Sequence, residues 1–127
     1  MKTSRLATIV FLILSYLVAG GAQAAFAHSF PQVESPAAGQ TVSSGPGQVT
    51  IKFDAPVETL FAQLEVLSPD GKDEAAAAPE VSEDGRTLSV KVAELKPGNY
   101  VVKWAVVCID THHTSGSYGF TLAGSGS

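Results

Sequence analysis

Cysteine is almost absent from this chain: Cys108 stands alone among 127 residues. A disulfide framework within the chain is therefore excluded, and folding must rest on an ordinary core. A single buried thiol is most simply read as a small hydrophobe. Methionine is as scarce, with Met1 the sole example, so thioether groups are all but missing. Basic residues are outnumbered, eight against twelve acidic, and Lys2 and Arg5 lie in the first segment. The remainder is acidic. That excludes the basic patches nucleic acid demands and argues against docking on an anionic membrane surface.

Long hydrophobic runs occur only once. Lys2 and Arg5 precede the apolar run Ala7 to Val18, and small residues follow. Positive, apolar and small segments in that order are the pattern of a cleaved secretory leader. The run is short for a membrane span, which needs about 20 apolar residues. Two A-x-A cleavage sites are available. Ala22-Gln23-Ala24 lies closer to the apolar run, which slightly favours it on spacing. Ala25-Phe26-Ala27 would instead leave His28 as the first residue of the mature chain, with a free amino group.

What the remainder does contain is Val, Thr and Gly in short alternating runs. Val49 to Phe53, Phe61 to Leu67 and Thr87 to Val92 alternate with a period of two; Tyr100 to Ile109 and Ser117 to Leu122 are β-prone. Such runs predict strands. Asp70-Gly71, Asp84-Gly85 and Pro97-Gly98-Asn99 predict tight turns. Glu74 to Pro79 is too short for a stable helix and reads as a loop. Together these predict an all-β sandwich or barrel of about seven strands. Its expected core is Val49, Ile51, Phe53, Leu64, Val66, Leu88, Val90, Trp104, Val106, Phe120 and Leu122.

Chemistry concentrates in few residues. The three histidines are His28, His112 and His113, and Asp110 lies two places before His112. In an extended strand, residues i and i+2 share a face, so Asp110 and His112 should converge while His113 turns away. A free amino-terminal His28 would offer both its amine and its imidazole Nδ1, closing a chelate ring. Three nitrogens and one oxygen suit the tetragonal preference of Cu(II). Three other readings remain open on these residues alone. A terminal histidine is usually frayed and solvated, D-x-H is a weak motif, and Ser115, His112 and Asp110 form a triad by type. That triad is packed too closely in sequence to convince, because triads are recognised by geometry. Cys108 shares strand parity with Asp110 and could lie beneath such a site.

A longer pattern carries a family resemblance. After an A-x-A site comes His28, then the turn Ser35-Pro36-x-x-Gly39, then Phe53-Asp54-Ala55-Pro56-Val57-Glu58. Leu95-Lys96-Pro97-Gly98-Asn99-Tyr100, Val102, Trp104, Cys108, Asp110, His112, Gly116 and Phe120 follow in one spaced block. This resembles the CopC family of periplasmic copper-binding proteins from His28 to about Leu122. The resemblance implies a Greek-key β-sandwich, Ig-like or cupredoxin-like, holding one Cu(II) ion. By position, the implied ligands are His28 (amine and ring), Asp110 and His112. It also favours cleavage after Ala27, giving a leader over residues 1–27 and a copper-binding domain over 28–127. Three positions depart from the family pattern: Cys108 replaces serine, Thr111 replaces glycine and His113 replaces proline. None removes a ligand.

The expectation is therefore a periplasmic, monomeric carrier or sequestering protein for Cu(II) in copper homeostasis or resistance, and not an enzyme. A CopD-type inner-membrane protein would be a separate partner. The first alternative is a copper-dependent oxidative enzyme built on an amino-terminal histidine, which would need an open substrate surface beside Trp104, Tyr100 or Tyr118. The second is a metal-free β-sandwich interaction module.

Overall fold

The computed structural model describes residues 29–124. The leader, both cleavage sites and His28 lie outside the described residues. Eight strands follow in order: β1 (Pro31–Ser35), β2 (Thr41–Val42), β3 (Gln48–Phe53), β4 (Gln63–Leu67), β5 (Glu80–Val81), β6 (Thr87–Lys91), β7 (Gly98–Val107) and β8 (His113–Leu122). They form two four-stranded sheets, ordered β1-β3-β6-β5 and β2-β8-β7-β4. The architecture is thus a sandwich, with one strand more than expected. All pairings are antiparallel except β2 with β8.

Alternation explains the two layers. Val49, Ile51 and Phe53 on β3 and Leu88 and Val90 on β6 point inward from one sheet; Leu64, Val66, Tyr100, Val102, Trp104, Val106, Phe120 and Leu122 answer from the other. Every residue of the expected core is buried. Phe53 meets Trp104 edge to face across the layers, with ring centroids 5.3 Å apart, and Tyr100 stacks on its cross-strand neighbour Phe120 at 5.4 Å. Such aromatic pairs add about 0.5–1.5 kcal/mol each beyond their burial. The Asp-Gly turns form as expected: Gly71 and Gly85 adopt φ of 81° and 75°, the left-handed region open to glycine. Residues 74–79 contain no helical turn.

The three strands that periodicity missed have little period to show. β2 and β5 are two residues long. β1 is an edge strand with no fully buried residue, and its register slips between Pro31 and Val33. Strand β8, in contrast, starts four residues earlier than its sequence signal. Ser115 and Gly116 are poor strand formers by type, but pairing with β7 runs unbroken from Gly98↔Leu122 to Val107↔His113.

Gly116 has a packing reason to be glycine. It pairs with Trp104, and a Cβ there would lie 2.7 Å from indole Cζ2. The indole is also engaged edge to face with Phe53. We expect Gly116→Ala to lower the thermal midpoint, with a loss of about 1–3 kcal/mol typical of overpacking; an unchanged melting curve would mean the Trp104 ring moves without cost.

Candidate metal centre

β7 ends at Val107, two residues earlier than its sequence signal, and the chain turns at once. The Cys108 N–H donates to the His112 carbonyl at 2.8 Å, and the Thr111 N–H donates to the Cys108 carbonyl at 2.9 Å. This is the pattern of a three-residue hairpin loop whose last residue lies in the left-handed region. Thr111 fills that position with φ of 76°, the one non-glycine residue among those described with positive φ. A β-branched side chain there is strained.

Asp110 and His112 do converge, but not for the reason that strand parity supplies. They sit at the turn, where the short Asp110 side chain reaches forward two positions along the chain. Its Oδ1 accepts the His112 backbone N–H at 3.3 Å, and its Oδ2 lies 3.1 Å from His112 Nδ1. The His112 side chain is 56% exposed and that of Asp110 37%, so both donors face solvent. His113 opens β8 opposite Val107. It faces an open groove shared with Phe61, Gln63, Ala105 and Ser115.

Cys108 is buried and lies against Ser29. Its Sγ accepts the Ser29 backbone N–H at 3.1 Å. The Ser29 carbonyl accepts from Thr114 Oγ1 at 3.1 Å, and the Ser29 hydroxyl donates to the Pro56 carbonyl at 3.3 Å. Phe30 continues the anchoring, donating to Asp54 Oδ1 at 2.7 Å and accepting from the Asp54 N–H at 2.9 Å. Ser29 is thus fully buried and not frayed. Sequence reasoning missed Ser29, Asp54 and Thr114, since small polar residues at these spacings carry no motif.

Among the described residues no three His, Cys, Asp or Glu side chains gather into a metal-binding group. Asp110 and His112 offer two possible donor atoms side by side. Their separation fits a shared ion: two donors about 2.0–2.1 Å from one metal and at right angles lie about 2.9 Å apart. The observed 3.1 Å is a direct Asp110–His112 contact, which an ion shared by these two atoms would replace.

The CopC domain family model matches residues 32–123. The chain belongs to the CopC domain family. Protein YobA of Escherichia coli strain K12 is 34% identical over 99 residues, covering 76% of this chain and 80% of that protein. Copper resistance protein C of Xanthomonas campestris pv. juglandis is 32% identical over 126 residues, covering 92% and 94% respectively. Among solved structures, CopC from Methylosinus trichosporium OB3b superimposes with a TM-score of 0.73 and 31% identity, covering 79% of this chain and 98% of that one. The matched span of this CopC domain contains both Asp110 and His112.

Within the CopC domain the strained turn invites a direct test. Thr111→Gly removes a left-handed Cβ costing about 1–3 kcal/mol but frees the unfolded chain by about 0.4–1 kcal/mol. We expect a net gain of about 1 kcal/mol in denaturant unfolding of the metal-free protein. A loss would mean that contacts of the threonine side chain outweigh its strain.

Proposed function

We propose that this CopC domain is a periplasmic carrier or sequestering protein for a single Cu(II) ion, with His28, Asp110 and His112 as ligands. The observation that carries the reading is the solvent-facing Asp110–His112 pair at 3.1 Å, in a hairpin whose flanking Cys108 and Thr114 hold buried Ser29. Ser29 follows His28 directly, so a chain cut after Ala27 would present its amine and imidazole one residue from that anchor. Three nitrogens and a carboxylate oxygen favour Cu(II) over Zn(II) by geometry and by the Irving–Williams order. Copper must displace protons from amine and imidazole, so binding weakens as the solution is acidified. The relative named as a copper resistance protein supports copper as the cargo.

The enzyme alternative has less support. Trp104 and Tyr100 are buried in the core at 8% and 3% exposure, and Tyr118 packs partly against it. None of the three is free to form an open platform for a polysaccharide. Among the described residues no helix is long and apolar enough to cross a membrane. We assign delivery or receipt of the ion to a separate CopD-type membrane partner, with the carrier itself a monomer.

Processing decides whether the amine exists. Intact mass of the exported protein, with and without Cu(II), should give a chain starting at His28 that gains one copper. A chain retaining Ala27 should bind Cu(II) orders of magnitude more weakly, because its amine has become an amide. Equal affinity and an identical copper spectrum in the extended chain would remove the amine from the site.

The two adjacent imidazoles should behave unequally. His112→Ala should cost more than the roughly 10–100-fold typical of losing a supporting partner, while His113→Ala leaves Cu(II) affinity within about twofold of the parent. Competition titration reads both. Equal losses would mean that the imidazoles exchange at the metal.

A further inference from the structure

We propose that Pro56-Val57-Glu58 is a strut that positions the Asp110–His112 pair, and that Gly85, in the turn before β6, is the seat that fixes the strut; this rests on the Cu(II) reading above. Strand β4 supports β7 only from Val101 to Ala105. Beyond that point the edge of β7 away from β8 is taken over by residues 57 and 58. The Glu58 N–H donates to the Val107 carbonyl at 2.8 Å, and Val57 bridges Cys108 in antiparallel register. The preceding amide faces the other way, as successive N–H groups do in an extended segment. The Val57 N–H donates to the Gly85 carbonyl, also at 2.8 Å. Three residues thus join the β5–β6 turn of one sheet to the end of β7 in the other, and the buried Val57 side chain pins their middle to the core.

Cys108 is where this brace reaches the donors. Its N–H donates to the His112 carbonyl and its own carbonyl accepts the Thr111 N–H, so both hydrogen bonds that shape the turn start from one residue. A shift of the Cys108 backbone shifts the turn, and with it the 3.1 Å Asp110–His112 contact. Gly85 sets how closely the strut can seat. It has φ of 75°, and a Cβ there would lie 3.1 Å from Pro56 Cβ and 3.6 Å from both Pro56 Cα and the Val57 carbonyl oxygen. A proline ring has no free rotamer by which to withdraw, so an added methyl group displaces the strut itself. Gly71 provides the contrast. It occupies an Asp-Gly turn with φ of 81°, yet a Cβ there meets nothing within 4 Å. Backbone strain on substitution is alike at the two glycines; contact with the strut exists only at Gly85.

The test uses the exported protein, with Cu(II) as the sole probe. Gly85→Ala and Gly71→Ala should both lower the thermal midpoint. Gly85→Ala should also change the copper electron paramagnetic resonance signal and weaken Cu(II) binding by about tenfold, the scale on which supporting groups outside the ligand set act. Gly71→Ala should stay within about twofold of the parent, as a distant and independent site. Glu58→Pro deletes the donor to Val107 and should weaken binding by about tenfold as well. Glu58→Gln keeps that backbone donor and loses only an exposed charge, so its affinity should lie within about threefold of the parent. Affinity and spectrum unchanged in Gly85→Ala overturn the strut, as does an equal loss in Gly71→Ala, or a Glu58→Gln loss equal to that of Glu58→Pro. Amide exchange gives a reading without mutation. In the metal-free parent the Val57 and Glu58 N–H groups should be protected, and exchange at the rate of a free chain overturns the strut even if every variant fails to fold. A parent protein that takes up no Cu(II) overturns the copper reading and the positioning role with it; a parent that binds, beside a Gly85→Ala protein that binds equally, overturns the positioning role alone.

Discussion

The ladder between β7 and β8 is the contact on which the rest of the molecule depends. Ten residues pair on each side without a break, from Gly98↔Leu122 to Val107↔His113. Its inner face supplies Tyr100, Val102, Trp104, Val106, Phe120 and Leu122 to the core. Its outer edges carry β4 and β2. Its closed end is the turn that holds Asp110 and His112. A donor pair at the tip of a loose loop would sample many separations. Here the turn is braced by the Cys108–His112 and Thr111–Cys108 hydrogen bonds, and the backbone at Cys108 is bridged to Val57. Rigid elements hold a site more closely than free loops do.

The same end of the sandwich also anchors the first two described residues. Ordering any segment costs conformational entropy that its contacts must offset. Ser29 and Phe30 meet this with five hydrogen bonds to Cys108, Thr114, Pro56 and Asp54. Residues from three separate stretches of sequence converge on two. Burial of Ser29 is tolerable because its backbone and hydroxyl are all satisfied; an unmet polar group there would cost about 1–3 kcal/mol.

Legibility from sequence followed the strength of the local signal. The interior strands announced themselves, because Val49, Ile51 and Phe53, or Leu88 and Val90, alternate with polar neighbours. β1 did not, since an edge strand exposed along most of its length has no apolar face to display. Asp110 and His112 were visible as chemistry, yet the strand-parity argument for their meeting was misplaced. The chain leaves the extended conformation at Cys108, and they meet because Asp110 is a turn residue whose carboxylate reaches two positions onward. Thr111 concealed that turn, because a β-branched residue gives no hint of positive φ. Ser29 was silent for a different reason: its partners lie 27, 79 and 85 positions away, and no spacing rule reaches so far.

Exposure of the donor pair bears on what the site is for. An ion enclosed by protein on every side is well held but slow to leave, whereas an ion at a surface can be approached by an incoming ligand. The His112 side chain is 56% exposed and Asp110 37%, so a partner's donor could attack an ion there without the sandwich opening. Such a site gains its affinity from chelation and preorganisation and not from enclosure. Two donors come from a braced turn and two, on the proposed reading, from one terminal residue. Losing either half leaves a bidentate remnant open to solvent. On that reading, exchange could proceed one chelating half at a time while the β7–β8 ladder stays intact.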